Sequence, residues 1–300
     1  MKRKSLALIL VAIMTIICSF AFTGCGELGD VFLDSDTGKG YTFDGFYVTF
    51  GEYPQSIKED SVNVSDTIKD NRGYYYGDDG EYYAKVTASS SADGYKFTNG
   101  KEIEGGTEYY FKVEPVRWKV IYEPNGLNGG VSLVLSEKVL DKVSRYDKSM
   151  NDWSNSEMKG HLNGSFARLL FNGYKTALIK RMTIDNSSYS TGYDNNSNTC
   201  VNTSVKIFLP SYREVTEGQY GYYDDGDRMR QATDYLRAQG VPLYTTGEYT
   251  YGCTEYALRS PEKDDVREIR IVKKDGTIGS KYIGSSCGFA PAFFIEIQYD

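Results

Sequence analysis

The chain has 300 residues and a formal net charge of −7, with 27 tyrosines and one histidine. The acidic balance argues against nucleic acid and anionic wall polymers as partners, because like charges repel. The single histidine, His161, cannot build a two-histidine metal site, and any acid–base relay would have to use it or do without histidine.

The first 24 residues have the pattern of a lipoprotein signal peptide. A charged Lys-Arg-Lys segment (2–4) precedes an apolar run that ends in Phe-Thr-Gly-Cys (22–25). This ending resembles the bacterial lipobox, which implies cleavage before Cys25 and acylation of that cysteine, with palmitate as a typical chain. The protein would then be anchored in the cell membrane and exposed on its extracytoplasmic face. A transmembrane anchor is the alternative, but the apolar run is barely long enough and no stop-transfer charges follow it.

The rest of the chain reads as a tether and one domain. Residues 25–42 are rich in glycine and aspartate and predict a short tether. No proline-rich or charged linker divides residues 43–300, so we expect a single domain there.

Alternating patterns predict strands in the first part of this domain. The stretch FGEYPQS (50–56) has the turn chemistry of glycine, proline and serine without a nucleophile and base, which predicts a corner that ends a strand. The even-numbered residues from Val116 to Tyr122 share one face. The turn sequence NGLNGG follows them, so residues 116–136 predict a hairpin.

The middle of the domain is predicted to be helical. Ser154 and Glu157 offer a capping box for a helix that ends near Asn163, and residues 166–179 form a second amphipathic stretch interrupted at Gly173.

A second capping box and more β-structure follow. Ser211 and Glu214 form the capping box, and Gly240 is placed to stop a later helix. Residues 256–261 predict a strand, and residues 267–283 predict a hairpin whose type I′ turn is Asp275-Gly276. Strands at both ends with helices in the middle predict an α+β fold with a mixed, mostly antiparallel sheet.

Nine short segments, in this order, resemble a bacterial family known as domain of unknown function 6273. They are FGEYPQS (50–56), VEPVRWKVI (113–121), LSEKVLD (135–141), WSNSEMKGHLN (153–163), KIFLPSYREV (206–215), ATDYLRAQG (232–240), YALRSP (256–261), DGTIG (275–279) and GFAPAFFIE (288–296). The resemblance implies a C-type-lectin-like fold of the kind that formylglycine-generating proteins have. It implies no activity, because a fold does not determine a function.

The chain departs from this family pattern at three places. Ala290 stands where arginine is usual, and Tyr256-Ala257 stands where a tryptophan pair is common. His161 occupies a helix position where tryptophan is usual, so we interpret it as a structural aromatic residue.

Cys200, Cys253 and Cys287 remain after cleavage at Cys25. In an oxidising exterior two of them should pair, and Cys253–Cys287 is the preferred pair of the three possible ones, because each precedes a predicted strand. The alternative is a thiol pair for copper-dependent oxidation, as in formylglycine-generating enzymes.

Two acidic clusters flanked by tyrosines are candidates for calcium. They are YYYGDDGEYY (74–83) and YYDDGDRMR (222–230). Neither has the spacing of an EF-hand loop, and aspartate-glycine pairs form turns without a metal, so no cofactor is predicted. The same residues could supply paired carboxylates for glycoside hydrolysis, but a sequence does not give their separation.

The candidate ligand-binding residues are Tyr244, Tyr249, Tyr251 and Arg259, in and after a loop rich in glycine and threonine. Tyrosine rings on loops suit the binding of sugars or peptides, whereas packing in a sheet is the simpler explanation for any single one of these residues. The main hypothesis is a non-catalytic, lipid-anchored binding or adhesion module for a glycan or protein ligand. The alternatives are an enzyme, either a thiol oxidase or a carboxylate-based hydrolase, and an envelope structural protein.

Overall fold

The computed structural model describes residues 40–89, 94–123, 130–171, 173–192, 200–248 and 250–298. The predicted signal peptide, Cys25 and most of the predicted tether lie outside these residues. Residues 43–300 form one compact unit, and of the preceding residues only 40–42 are described.

Strands make up most of the regular structure. In chain order they are β1 (Thr42–Phe43), β2 (Tyr47–Ile57), β3 (Val64–Lys69), β4 (Tyr75–Gly77), β5 (Tyr82–Thr87), β6 (Glu108–Tyr122), β7 (Gly130–Ser136), β8 (Asp141–Val143), β9 (Ile179–Lys180), β10 (Met182–Ile184), β11 (Thr203–Val205), β12 (Ile207–Phe208), β13 (Arg230–Gln231), β14 (Cys253–Thr254), β15 (Tyr256–Pro261), β16 (Glu268–Val272), β17 (Ile278–Tyr282), β18 (Cys287–Phe289) and β19 (Ala292–Ile297).

The described helices are short. The α-helices are α1 (Glu157–His161), α2 (Ala167–Leu170), α3 (Ser188–Thr191), α4 (Asp225–Arg228) and α5 (Asp234–Ala238). A π-helical turn (Leu162–Phe166) joins α1 to α2, and 3-10 turns span Trp153–Asn155, Gly173–Ala177, Arg213–Val215 and Gly218–Tyr220.

The predicted α+β class with helices in the middle is therefore wrong, because the protein is mostly β with several antiparallel sheets. Helices were predicted near residues 154–163 and 166–179. The structure instead has the short helices α1 and α2, with the π-helical turn between them. Gly160 lies within α1, Gly164 within the π-helical turn and Gly173 at the start of the following 3-10 turn, and glycine is a poor helix former because it loses much conformational freedom. The C-type-lectin-like architecture that the resemblance implies is not confirmed.

The main sheet has the strand order β12-β19-β7-β6-β5-β4-β3, with β2 also paired to β6 and β9 to β19. Its pairs are antiparallel, and β15-β16-β17 form a separate three-stranded sheet. The hairpin predicted over residues 116–136 is confirmed, since Trp118 pairs with Ser136 and Lys119 with Leu135. A bulge after Val120 shifts the register, and Tyr122 is consequently exposed instead of sharing the buried face.

The prediction that FGEYPQS ends a strand is wrong. Residues 50–56 lie inside β2, which continues to Ile57. Gly51 has a φ of +71°, and the register against β6 shifts between Thr49 and Glu52, as expected of a bulge. The stretch FGEYPQS has a structural role, as expected, but it bends β2 and does not end it.

The second hairpin is confirmed with a different turn. β16 pairs with β17 as predicted, and Gly276 has a φ of +83°. The Gly276 N–H donates to the carbonyl of Lys273, so Lys274 and Asp275 occupy the centre of the turn. This is the arrangement of a type I turn followed by a glycine bulge, and the predicted type I′ turn is not formed.

An aromatic cluster fills the space between β2, β6, β19 and the end of α2. The Trp118 ring lies 4.5 Å from the Phe293 ring, and the Phe50 ring lies 4.9 Å from the Phe171 ring. The Trp118 Nε1–H donates to the carbonyl of Phe50 at 2.7 Å, so the buried indole keeps a hydrogen bond. In the described part of the chain, no helix is long and apolar enough to cross a bilayer.

Candidate ligand-binding site

A cleft of about 380 Å³ opens where the edge strands β3–β5 meet the first residues of β6 and the helices α2 and α5. We call it the tyrosine cleft and define it by six of its lining residues, which are Arg72, Tyr74, Tyr75, Lys85, Glu108 and Tyr235. Its volume is in the range of sites that bind small molecules.

The floor of the tyrosine cleft is apolar. Tyr74 and Ala84 pack there with Val113, and Leu169 and Tyr235 cover this cluster. Burial raises the pKa of Tyr74 and of Tyr235, so both phenols are neutral at physiological pH. The Tyr74 hydroxyl is buried and has no hydrogen-bond partner in the described residues, which is costly for a polar group.

Arg72 forms one wall of the tyrosine cleft. Its Nε lies 2.8 Å from the Asp70 carboxylate, and its Nη1 lies 3.4 Å from that of Glu52. The guanidinium carbon lies 4.9 Å from the centroid of the Tyr74 ring and 5.6 Å from that of Tyr82. Two acids and two rings therefore hold the guanidinium in one orientation.

Lys85 also lines the tyrosine cleft. Its ammonium lies 2.9 Å from the Glu108 carboxylate, 3.3 Å from that of Asp66, and 5.6 Å from the centroid of the Tyr110 ring. The hydrogen bond with Glu108 is the main cause that raises the pKa of Lys85, so the side chain stays charged. The Tyr110 ring in turn meets the Tyr75 ring edge-on, with centroids 5.7 Å apart. This part of the cleft combines aromatic rings with charged hydrogen-bonding groups.

A buried polar pair lies beneath the floor. The Tyr53 hydroxyl donates to the Asp141 carboxylate at 2.5 Å, and the Gln239 amide donates to the same carboxylate at 2.9 Å. The Tyr53 ring also meets the Tyr235 ring edge-on at 6.0 Å. Burial raises the pKa of Asp141, while the hydrogen bonds from Tyr53 and Gln239 oppose that rise. The pair supports the floor and does not line the cleft.

Replacing Asp141 by asparagine is expected to make stability less dependent on pH. The pKa of this carboxyl is higher in the folded protein than its ordinary value of 3.8, so the folded state binds the proton more tightly. Stability from this group is therefore present at low pH and is lost as pH rises through the raised pKa. In urea unfolding between about pH 4 and pH 8, the variant should gain stability relative to the wild type as pH increases.

The matched control is Asp60→Asn, since Asp60 has an exposed side chain. Parallel pH profiles for the wild type and Asp141→Asn would contradict the assignment.

A second cleft of about 270 Å³ lies beside β2 and includes Gln55, Glu114, Arg117 and Glu137. The Gln55 amide donates to the carbonyls of Glu114 and Pro115, and Arg117 is paired with Glu137 at 3.2 Å. Its lining residues include no aromatic side chain. We therefore consider the tyrosine cleft the better ligand site.

The predicted ligand-binding tyrosines lie elsewhere. The Tyr251 hydroxyl donates to the carbonyl of Gly94 and accepts from the N–H of Lys96, both at 3.0 Å, so it closes a loop. Tyr244 is half-buried, and its backbone pairs with Cys253. Tyr249 lies outside the described residues.

Arg259 is far from solvent. It is 1% exposed, and its guanidinium donates to the carboxylate of Glu214 and to the side chain of Asn186. A ligand could reach it only by displacing these partners, so the structure does not bring Arg259 together with Tyr251 in a surface site.

The three cysteines are free thiols and are buried, so the structure contains no Cys253–Cys287 bridge. Burial raises the pKa of Cys200 and of Cys287 to about 12, and it also raises the pKa of Cys253. Thiols of this kind are poor nucleophiles, because the thiolate is the reactive form.

His161 packs against aromatic residues, as the sequence suggested. Its ring centroid lies 5.6 Å from that of Phe289 and 6.3 Å from that of Phe166. Its Nδ1 lies 3.0 Å from the Ser165 hydroxyl, and burial lowers its pKa.

The acidic clusters serve local turns and caps. Asp78 accepts two hydrogen bonds from Asn63, and Asp79 accepts one from the Tyr83 hydroxyl at 2.6 Å. Asp224 and Asp227 form the capping box of α4. Across the described ranges, no group of three or more histidine, cysteine or acidic residues is placed to hold a metal ion.

Sequence reasoning missed the tyrosine cleft, although it singled out one of its segments. The run YYYGDDGEYY (74–83) supplies β4, the turn after it and the start of β5. Its acidic residues were interpreted as a candidate calcium site. The consecutive tyrosines on each side of an Asp-Gly turn were the available signal for an aromatic face. Nothing local in the sequence indicates that Tyr235 joins them.

Fold and site together define a mostly antiparallel β domain with a tyrosine-lined cleft on its edge strands. The chain belongs to the family described as Domain of unknown function (DUF6273), whose family model matches residues 129–297. Neither a curated protein nor a solved structure shows a significant match to the chain. The matched region includes Leu169 and Tyr235 on the cleft floor, whereas β3–β5 precede it.

Proposed function

We propose that this protein is a non-catalytic binding module, anchored by acylated Cys25 at the extracytoplasmic face of the cell membrane, and that it binds a glycan in the tyrosine cleft. The observation that carries the proposal is the combination, in one cleft of about 380 Å³, of tyrosine rings with the Lys85–Glu108 pair. Aromatic rings pack against the apolar faces of sugars, and charged groups exchange hydrogen bonds with sugar hydroxyls.

The charge of the walls favours a neutral ligand. Arg72 is paired with Asp70 and Glu52, and Lys85 is paired with Glu108 and Asp66. Each cation of the cleft therefore already has acidic partners, so neither favours an anionic ligand.

Two features argue against the enzymatic alternatives. Glycoside hydrolysis ordinarily uses two carboxyl groups across the scissile bond, whereas Glu108 is the one carboxylate among the lining residues and is held by Lys85. Thiol oxidation requires accessible thiols of low pKa, whereas the described cysteines are buried and their pKa values are raised.

Tyr75→Ala is expected to weaken glycan binding about three- to tenfold, because one stacking contact is lost. Lys85→Met is expected to weaken it as well, through the loss of the ammonium beside Glu108. The measurement is a glycan-array screen of the purified chain, followed by calorimetric titration of the best ligand. Tyr282→Ala is the matched control, since Tyr282 is an exposed tyrosine on β17, outside the cleft.

Three results would count against parts of the proposal. Saturable glycan binding that Tyr75→Ala leaves unchanged would place the ligand elsewhere. Binding of a surface protein, with silence across the glycans, would replace the glycan by a protein ligand. Mass spectrometry of the N-terminal peptide tests the anchor, and an unmodified Cys25 would contradict it.

A further inference from the structure

Arg230 is a buried cation without an acidic partner among the described residues. It is 5% exposed, and its Nη2 donates to the Tyr222 hydroxyl, while its Nη1 reaches the carbonyl of Glu137 at 3.4 Å. Its Nε is buried and has no hydrogen-bond partner there. Burial of a charge without a counter-charge is energetically costly, and the described residues supply no acidic group that offsets this cost.

Other buried arginines of the domain do have such partners. Arg259 pairs with Glu214, Arg237 with Asp234, and Arg228 with Asp225. Arg230 differs from them in having two tyrosines in place of an acid, since its guanidinium carbon also lies 5.7 Å from the centroid of the Tyr256 ring.

A second cation lies beside Arg230. The Lys119 ammonium lies 5.3 Å from the centroid of the Tyr222 ring, whose hydroxyl is bonded to Arg230. Lys119 has no ion pair or hydrogen bond from its ammonium in the described part of the chain. Burial lowers the pKa of Lys119, and the charge of Arg230 lowers it further. Tyr222 thus contacts two cations, Lys119 through its ring and Arg230 through its hydroxyl, and neither cation has an acidic partner in the described residues.

Asp227 does not pair with either cation. The charge of Asp227 raises the pKa of Lys119, but its Oδ2 accepts the N–H of Tyr223 at 2.8 Å and that of Asp224 at 3.2 Å. Gly221 leaves room at the ammonium, since a Cβ added to this glycine would lie 4.0 Å from the Lys119 Nζ.

We propose that Lys119, Tyr222 and Arg230 form a binding site for a small oxyanion, that is, a carboxylate or phosphate group. Such a group supplies the missing negative charge and accepts charge-assisted hydrogen bonds from both cations. The site is separate from the tyrosine cleft, because its residues come from the middle of β6, from the segment before α4 and from β13. It does not depend on the proposed glycan function.

The test is thermal unfolding of the full chain in a titration with inorganic phosphate, with sodium chloride at matched ionic strength as the reference. The wild type is expected to show a saturable rise in melting temperature. Lys119→Met and Arg230→Met are each expected to weaken this response at least about tenfold. Arg230→Met should remain folded, because it replaces an unpaired buried charge by an apolar side chain. Lys112→Met is the control, since Lys112 is on the same strand and pairs with Glu81.

An acetate titration separates the two sources of the oxyanion. A saturable response to acetate alone would assign the site to carboxylates, and one to phosphate alone would assign it to phosphates. The absence of a saturable response to either anion, or a response that both variants retain in full, would overturn the proposal.

Discussion

Replacing Arg259 by methionine is expected to lower the free energy of unfolding by about 3–5 kcal/mol. The Arg259 Nη1 and Nη2 donate to the Glu214 carboxylate at 2.5 and 2.7 Å, and the Nε donates to the Asn186 side chain at 3.1 Å. The guanidinium also donates to the carbonyls of Leu209 and Asp185. Removal of the arginine leaves a largely buried carboxylate without its counter-charge, and this uncompensated charge is the main cost.

The measurement is urea unfolding of the purified chain, with two comparison variants. Arg117→Met removes an exposed arginine that pairs with Glu137 and Asp44, and it should cost at most about 1 kcal/mol. The double variant Arg259→Met with Glu214→Leu removes both charges and should recover part of the loss. A loss for Arg259→Met no larger than that for Arg117→Met would show that the buried pair does not stabilise the fold.

Gly51→Ala is expected to destabilise the protein by about 2–5 kcal/mol, which combines left-handed strain with overpacking. Gly51 has a φ of +71°, and an added Cβ would lie 2.8 Å from the Phe171 ring and 2.9 Å from the carbonyl oxygen of Leu170. The glycine therefore meets two requirements, a backbone conformation that other residues rarely adopt and a close contact with the end of α2.

Gly106→Ala separates these two requirements. Gly106 has a φ of +82°, but a Cβ added there meets no atom within 4 Å, so only the conformational cost of about 1–2 kcal/mol is expected. Guanidinium unfolding of both variants gives the comparison. Equal losses would mean that the contact with Phe171 contributes nothing and that α2 can move away from β2.

The sequence correctly predicted one capping pair and one helix-ending glycine. The reciprocal hydrogen bonds between Ser211 and Glu214 form as the capping-box pattern indicated, and Gly240 has a φ of +78° after α5. In both features the interacting residues lie three to six positions apart along the chain, so a short stretch of sequence includes nearly all the groups that interact.

The predicted helix start at Ser154 shows the limit of such patterns. The cap of α1 is Ser156, which accepts from the N–H of Lys159, while Asp152 caps the preceding 3-10 turn. Several small polar residues in this stretch can each cap a helix, so the capping pattern alone does not choose among them. The sequence located the helix start within two residues but did not identify the cap.

The candidate sites depended on tertiary structure much more strongly. The tyrosine cleft combines residues from Arg72 to Tyr235, and the proposed oxyanion site combines Lys119 with Arg230. Arg259 appeared in the sequence as a loop-adjacent binding residue, yet burial against Glu214 makes it structural. The side-chain types alone do not distinguish these outcomes, because tyrosine and arginine serve both binding surfaces and cores.

By itself the sequence determined the family, the two hairpins, the turn glycines and the structural character of FGEYPQS, since these depend on short segments and their local conformations. Tertiary structure alone decided that the domain is mostly β, that FGEYPQS bends β2 from within, and that a cleft forms beside Tyr75 and Tyr235. The physical reason is that helix length, strand register and burial follow from contacts between residues far apart in the chain. Those contacts outweigh the local preferences of any single segment.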